Sequence, residues 1–343
     1  MRILQNVNLI NSSDPSVKFL YLAGLSPVMP DFHPILMHFA ANYSGYSYRE
    51  FASDYRALVK SNMKCLEDFG MDAVGLISDP YRETAAFGAE ITFPEEAVPR
   101  CRKPIVGHMQ DIEALVNPDV HASPRTVDRI RAGEQLAKLT GGKVPVIGWI
   151  EGPLAESCDL AGVNEVLLKL FMEPVFVKRL IEKIMVTARE FARAQVEAGC
   201  SVIGVGDAIC SQISAENYRE FVKEHHRELF GFIQSLGAKV KLHICGNISH
   251  LLPDIRDVSP DIVDVDWMVD MDRAFEILGG KIVRCGNLDP VSVLQDTDPG
   301  TIRDRCRALC EKERGRPFIL SGGCEITVNT PPGHLKAMRE GCA

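Results

Sequence analysis

Long apolar runs and clusters of basic residues are both missing from this chain of 343 residues. No apolar stretch approaches the roughly 20 residues that a membrane-spanning helix needs. The N-terminus lacks the apolar core of a signal peptide, so we expect a chain that is neither secreted nor inserted in a membrane. The net charge is −8 and no segment is rich in Lys or Arg, which disfavours nucleic acid as a partner.

Linkers are missing as well. No Ser/Gly-rich or Pro-rich segment divides the chain, so we predict a single domain over residues 1–343. The cysteines also show no pattern typical of a disulfide framework, because there are eleven of them, an odd number, scattered along a long chain. This usage points to a reducing cytoplasm, in which the thiols are packed, catalytic or bound to a metal.

What the sequence does contain is a repeated alternation of β-rich and helical segments. Helical patterns at 176–199 and 216–237 each end near a glycine. The strand-like runs between such patterns are at 73–78, 144–152, 201–207, 239–246, 261–267, 281–287 and 317–324. Seven strand–helix units in one chain predict a (β/α)8 TIM barrel with an N-terminal extension.

The eighth strand has two candidates, "PILMHF" at 34–39 and "KPIVGH" at 103–108. An open doubly wound sheet is the alternative fold. That fold would lead us to expect a Gly-rich phosphate loop after the first strand, and no such loop is present.

Polar residues whose side chains can react or bind a metal lie where these predicted strands end. They are Glu151, Asp207, His243 with Cys245, Asp266, Asn287 and Cys324. One polar residue at a strand end is usually part of a turn. Several on successive strands, including His and Cys, predict an active site at the C-terminal mouth of the barrel.

His243 and Cys245 are two residues apart on an extended chain, so their side chains point to the same side. Cys324, between a glycine pair and Glu325, is the best candidate for a third ligand of a zinc site with an open position. Cys285 is a rival ligand. The plainer interpretation is that these cysteines are buried thiols and His243 is a hydrogen-bonded core histidine.

Two further features are open to more than one interpretation. Glu151 is either a fourth zinc ligand, a proton donor or a turn carboxylate. Residues 1–70 form an N-terminal segment rich in Tyr and Phe, including Phe39 and Tyr43. These rings suit a pocket for a flat ligand, and they equally suit a cap on the barrel or a contact between two copies of the chain in a homodimer.

Several motifs together resemble the zinc-dependent methyltransferases of the uroporphyrinogen decarboxylase-like superfamily. The similarity runs from about Tyr21 to the C-terminus. The motifs are "ISDPYRETAAFGAEI", "GWIEGPLAES", "VGDAICSQISAENYREFV", "LHICGN", "RCGNLDPVSVL" and "SGGCEITVNTPPGHLKAM". True uroporphyrinogen decarboxylases carry an Arg-rich N-terminal motif and no zinc triad. This chain has the triad and lacks that motif, so the resemblance makes porphyrin decarboxylation unlikely.

The resemblance implies a zinc ion on His243, Cys245 and Cys324 and a separate corrinoid protein as partner. The corrinoid-binding signature D-x-H-x-x-G is absent, since "DFHPIL" has Leu36 in the place of the last glycine. Cobalt must therefore come from another chain. Within the motifs and the aromatic segment we predict two catalytic residues, Glu151 and Asp207, and five substrate-binding residues, Asp79, Asn247, Tyr43, Phe39 and His33.

Three reactions fit this resemblance. The "GWIEGPLAES" motif and the aromatic segment favour transfer of methyl from an aryl methyl ether to Co(I) of the corrinoid protein. The first alternative is transfer of methyl from methyl-cobalt to the thiol of coenzyme M. The second alternative is a barrel related to the decarboxylases in which the zinc is structural.

Overall fold

The computed structural model describes residues 30–342, whose main sheet has eight parallel strands. In chain order the strands are β1 (Asp31–Phe32), β2 (Val74–Gly75), β3 (Ile91–Thr92), β4 (Arg100–Cys101), β5 (Val146–Glu151), β6 (Val202–Gly206), β7 (Lys239–His243), β8 (Ile262–Val265), β9 (Val283–Leu288) and β10 (Phe318–Gly322). The parallel order is β1-β10-β9-β8-β7-β6-β5-β2, and β3 and β4 form a separate antiparallel pair. With the helices that follow the strands, this is the predicted (β/α)8 TIM barrel.

Helices connect the strands along the described chain. They are α1 (His38–Tyr43), α2 (Tyr48–Ser53), α3 (Tyr55–Phe69), α4 (Arg82–Ala86), α5 (Met109–Ala114), α6 (Pro124–Thr140), α7 (Pro153–Ala161), α8 (Val163–Met172), α9 (Pro174–Glu197), α10 (Ala215–Phe221), α11 (Lys223–Ser235), α12 (Leu252–Val258), α13 (Met271–Leu278), α14 (Pro299–Lys312) and α15 (Pro332–Gly341). None of the helices in residues 30–342 is long and apolar enough to cross a membrane.

Each of the seven predicted strand runs overlaps a barrel strand, but both candidates for the eighth strand were wrong. The eighth strand is β1, which ends two residues before the run at 34–39, while 103–108 contains no strand. The predicted N-terminal cap therefore contributes a strand of the barrel itself, and its first 29 residues lie outside the described part. The helix predicted at 216–237 is two helices, α10 and α11, which meet at Val222.

One backbone hydrogen bond and the side chain of Asp72, rather than a continuous ladder, join the two ends of the sheet. The Asp72 backbone N–H donates to the Phe32 carbonyl at 2.9 Å. The Asp72 carboxylate accepts the Phe32 N–H at 2.7 Å and an N–H of Arg339, from α15, at 3.1 Å. Asp72 thus closes the seam between β1 and β2.

The floor of the barrel is apolar. Its interior side chains come from alternate strand positions and form a separate cluster: Ala73, Ile147, Val202, Ile262, Val283, Cys285 and Ile319. Cys285, the rival ligand, is therefore a packing residue of this floor, and burial raises the pKa of its thiol. The polar site lies above the floor, at the carboxyl ends of the strands.

One pair of cysteines departs from the expectation of reduced thiols. Cys310 on α14 and Cys342 just after α15 are joined in a disulfide. The expectation was wrong for this pair because the packing of α14 on α15 brings their Cα atoms to 6.0 Å, a separation typical of disulfides. Nine other cysteines are free.

The seam makes a prediction about stability. We expect Asp72→Ala to lower the free energy of unfolding by about 1–3 kcal/mol, because it leaves the buried Phe32 N–H without its acceptor. Asp72→Asn keeps an oxygen for that N–H and should lose less. Asp304→Ala, which removes an exposed carboxylate paired with Arg307 on α14, should change stability by less than about 0.5 kcal/mol. Denaturant titrations of the three variants measure these differences, and equal losses for Asp72→Ala and Asp304→Ala would contradict the role of the seam.

Candidate metal centre and active site

Three side chains converge at the C-terminal mouth of the barrel. His243 ends β7, Cys245 follows it by two residues, and Cys324 follows β10. The Cys245 Sγ atom lies 3.0 Å from Nε2 of His243 and 3.4 Å from Sγ of Cys324. One ligand atom from each residue lies within 4.8 Å of the others. Within residues 30–342, this is the group of His, Cys and acidic side chains arranged to hold a metal ion.

Two glycines allow the backbone to present the sulfur atoms. Gly246 has φ of 89°, a left-handed conformation that disfavours other residues, and its N–H donates to Asp266 at 2.9 Å. At Gly323 a Cβ atom would overlap the backbone of Trp267. The loops that follow β7 and β10 are therefore both held against the β8 loop, which fixes the spacing between Cys245 and Cys324.

The ring of His243 is oriented from below by Asp264. Nδ1 lies 2.8 Å from the Asp264 carboxylate, which also forms a buried ion pair with Lys241. Burial opposes the charge on Asp264, but Lys241 and His243 outweigh it and hold the pKa of this carboxyl well below its usual range. An ionised carboxylate can only accept, so Nδ1 carries the proton and Nε2 faces the sulfur atoms.

The two thiols are not equivalent. The hydrogen bond with Cys245 is the largest effect on Cys324, and together with the nearby imidazole of His243 it outweighs burial and lowers the pKa of Cys324 to about 4. Its bond to Cys324, together with burial, raises the pKa of Cys245. A thiolate is the form of cysteine that binds metals. The group therefore holds one thiolate at neutral pH before any metal binds.

Trp149 packs inside the barrel beside His243, with ring centroids 5.7 Å apart. Its ring lies over two glycines of β6. A Cβ atom at Gly204 would overlap that ring, and one at Gly206 would come within 3.0 Å of it. The "GVG" of β6 thus leaves room for the indole, whose Nε1 donates to Glu151 at 3.2 Å.

Glu151 ends β5 at the same mouth and is 8% exposed. Its Oε1 atom accepts from Nη2 of Arg82 at 2.7 Å as well as from Trp149. Glu151 does not belong to the group of three ligands. The structure therefore places its carboxyl between Arg82 and Trp149, one side chain away from His243.

Acids outnumber bases around Arg82. The Arg82 side chain is fully buried and also lies 3.6 Å from Glu83, whose Oε1 accepts the Glu151 N–H. Burial raises the pKa of each of four acids at this end of the barrel, Glu83, Glu151, Glu156 and Asp159. One guanidinium cannot neutralise four buried carboxylates, so part of this cluster is protonated at neutral pH.

Asp207 is fully buried and supports a helix. Its Oδ1 atom accepts the N–H of Ala155 at 2.7 Å, at the first turn of α7. Its Oδ2 atom accepts from Nε2 of His226 at 3.0 Å, and Nδ1 of His226 in turn accepts from Tyr218 at 2.9 Å. Both oxygens are therefore engaged away from the sulfur atoms, and a catalytic role for Asp207 stays a prediction.

The five predicted substrate-binding residues are spread over the molecule. Asp79 pairs with Arg125 at 2.5 Å; Arg125 and Arg82 outweigh the effect of burial and lower its pKa to about 2. His33 lines an internal cavity with Trp149, and burial lowers its pKa to about 3. Asn247 is exposed. Tyr43 and Phe39 stack on each other at 5.8 Å in the packing of α1 on α3.

Four residues of the site escaped the sequence analysis: Lys241, Asp264, Arg82 and Glu325. Lys241 on β7 and Asp264 on β8 are charged residues in otherwise apolar strands, at positions whose side chains point into the barrel. This pattern could have indicated that both residues have a function in the interior. Burial and the nearby Cys324 raise the pKa of Glu325 to about 7, and its carboxylate accepts the His38 N–H at 3.0 Å. No local pattern signals Arg82, because its hydrogen-bond partner Glu151 lies on β5.

The glycines beneath Trp149 generate a second prediction. We expect Gly204→Ala to displace the indole and cost about 1–3 kcal/mol of stability by overpacking. In a Trp267→Phe background, where Trp149 is the remaining tryptophan, its emission should shift to the red. Gly231→Ala is the control, since a Cβ there meets nothing within 4 Å. An unshifted emission spectrum for Gly204→Ala would show that the glycine does not hold the ring in place.

Comparisons with known proteins agree on the fold. Among solved structures, the chain is similar to a methyltransferase from Methanosarcina mazei, with a TM-score of 0.85, 22% identity, and 95% of this chain and 97% of that chain covered. It is also similar to a B12-independent methionine synthase from Shewanella sp. W3-18-1, with a TM-score of 0.57, 14% identity, and 83% and 86% covered. At these identities the similarity establishes the barrel alone.

The relatives found by sequence similarity are named as uroporphyrinogen decarboxylases rather than methyltransferases. The chain is 26% identical over 306 residues to a uroporphyrinogen decarboxylase from Chloroflexus aurantiacus, covering 86% of this chain and 84% of the relative. It is 27% identical over 284 residues to one from Geobacillus kaustophilus, covering 80% and 79%. The family model for uroporphyrinogen decarboxylase (URO-D) matches residues 26–343. With this match over most of its length, the chain belongs to the uroporphyrinogen decarboxylase family.

Proposed function

We propose that the chain is a zinc-dependent methyltransferase that moves methyl from a methoxylated aromatic compound to Co(I) of a separate corrinoid protein. The observation that carries the proposal is the convergence of His243, Cys245 and Cys324 at the barrel mouth. The structural neighbour named as a methyltransferase supports the same reaction type.

The donor set fits zinc. Two cysteine sulfurs and one imidazole nitrogen are ligands that Zn²⁺ prefers, and three protein ligands are typical of a catalytic site with an open position. The low pKa of Cys324 and the orientation of Nε2 of His243 both prepare the group for a cation. Zinc bound there would act as a Lewis acid on the ether oxygen and lower the cost of the departing phenolate.

Glu151 is the proton donor in this proposal. Burial raises the pKa of Glu151 well above its usual range, with Arg82 opposing the shift. A raised pKa favours the protonated carboxyl, which is the form that can protonate the oxygen of the leaving group. Both of the hydrogen bonds described above end on Oε1, which orients the carboxyl and leaves the proton to Oε2.

An aromatic surface is available beside the metal ligands. Trp267, in the loop after β8, is 46% exposed, and its backbone packs against Gly323 next to Cys324. A half-exposed indole at the mouth suits a flat ring better than Tyr43 and Phe39, which pack between helices. Trp267 therefore supports a methoxybenzenoid substrate.

The alternative reaction uses the same ligands. In it a small thiol such as coenzyme M takes methyl from methyl-Co(III), and no proton donor is needed for a leaving oxygen. The buried acid at Glu151 favours the ether reaction, in which a poor leaving group must be stabilised.

The metal site is tested by zinc content. We expect wild-type protein to hold one zinc per chain and Cys245→Ala to lose most of it while remaining folded, because two ligands do not retain the ion. Cys285→Ala is the matched control: this cysteine packs in the floor of the barrel, so the variant should keep its zinc. Metal analysis and circular dichroism give the result, and folded, active wild-type protein without stoichiometric metal would exclude the site.

The reaction is tested with reduced corrinoid protein and vanillate-like methyl ethers, by following the loss of Co(I) absorbance. We expect the wild type to consume Co(I) and Glu151→Gln to be slower by about 10²–10³-fold, with zinc retained, because a proton donor to the leaving group is lost. Activity should fall as pH rises through the raised pKa of Glu151, since the carboxyl then loses its proton.

Glu182→Gln is the control, because Glu182 is an exposed acid on α9 paired with Arg179 at 2.9 Å. This variant should keep the wild-type rate. If methoxybenzenoids leave Co(I) untouched while methyl-Co(III) is rapidly demethylated by coenzyme M, the thiol reaction is the correct one.

A further inference from the structure

Beneath the metal ligands, three charged or polar side chains form a continuous chain of contacts. Lys241 is 1% exposed and both oxygens of Asp264 accept from its ammonium group. The same carboxylate accepts from Nδ1 of His243 at 2.8 Å. His243 pairs with Asp264 across β7 and β8, and Lys241 lies two residues before His243, so both side chains point into the barrel.

Within residues 30–342, Asp264 is the ion-pair partner of Lys241. The interior neighbours of Lys241 are Gly204 on β6 and Ile262 on β8, by strand register. Burying an ammonium group is costly, and an apolar side chain of similar length would fill the space at no such cost. Lys241 is therefore placed for its charge.

That charge is needed by Asp264. If both cysteines bind zinc as thiolates, their two negative charges cancel the two positive charges of the ion. Asp264, which is 4% exposed, then has no share of the metal's charge, and Lys241 is in direct contact with it. Without Lys241 the carboxylate would be an uncompensated buried charge, which would favour its movement away from the position in which it holds His243.

We propose that Lys241 is a positioning residue of the metal centre, which acts through Asp264 to hold the imidazole of His243 with Nε2 towards the metal. This inference rests on the zinc of the proposed function. It adds a residue that acts on the ion through two intervening side chains, Asp264 and His243.

Zinc affinity and the visible spectrum of Co²⁺-substituted protein test the proposal without any methyl transfer. Affinity is measured by competition with a chromophoric chelator under reducing conditions. We expect Lys241→Met to bind zinc about 10–100-fold more weakly, the usual effect of losing a partner of a metal-bound histidine, and to alter the Co²⁺ spectrum. Asp264→Asn should weaken binding to a similar extent.

The double variant decides how Lys241 acts. If Lys241 works through Asp264, Lys241→Met should add little when introduced into Asp264→Asn, since the carboxylate that it compensates is already gone. If the two effects instead multiply, Lys241 acts independently of Asp264 and the proposal is wrong. Lys241→Gln, which can still donate to Asp264, replaces Lys241→Met if the methionine variant does not fold.

The chain contains a matched control on the same two strands. Lys239, at the start of β7, pairs with Asp261, just before β8, at 3.1 Å and faces away from the metal ligands' end of the barrel. Lys239→Met should leave zinc affinity and the Co²⁺ spectrum unchanged.

Two outcomes separate this inference from the proposed function. Wild-type affinity and spectrum in folded Lys241→Met would overturn the inference while leaving the zinc site intact. Folded wild-type protein that binds no zinc would overturn the proposed function, and this inference with it.

Discussion

Side chains of a parallel strand alternate between two faces, and this period of two organises the interior of the barrel. Along β7 and β8 it places three groups inside the barrel, in order from its floor to its mouth. They are the apolar side chain of Ile262, the buried ion pair between Lys241 and Asp264, and the imidazole of His243. The same alternation along β5 places Ile147, Trp149 and Glu151 inside the barrel, in this order from its floor to its mouth. A shift of one residue in any strand would turn its polar residues outward, so strand register and site chemistry cannot change independently.

Buried ionisable groups in this barrel lie in two kinds of surroundings, one in which acids and bases are balanced and one in which acids are in excess. Lys241 and Asp264 form a balanced pair, so Asp264 stays ionised and serves as a fixed acceptor. Around Arg82 the acids exceed the single base, and burial raises the pKa of carboxyl groups such as that of Glu151. A fixed acceptor suits the orientation of a ligand, whereas a neutral acid suits proton donation. The balance of charges, more than the identity of any one residue, separates these two tasks.

Much of this arrangement could be predicted from the sequence. The strand runs, the barrel and the His243–Cys245–Cys324 group follow from local patterns, because period-two alternation and strand ends are visible in a single chain. The first strand escaped prediction because Asp31 and Phe32 form too short a run to carry a pattern. His226 on α11 is fully buried, where Asp207 and Tyr218 reach it from other elements. Contacts of that kind, like those of Arg82, depend on packing between distant segments and leave no local signature.

The seam at Asp72 ties the beginning of the described chain to its end. Arg339, which reaches Asp72, lies 267 residues further along, and β1 pairs with β10. During synthesis, therefore, β1 leaves the ribosome long before its partner strand and the helix that supports Asp72 exist. The growing chain has to carry an incomplete sheet with exposed strand edges until the last helix emerges. Contacts of such long range also make closure a slow step in folding, and His243, Cys245 and Cys324 can come together only after β10 has joined the sheet.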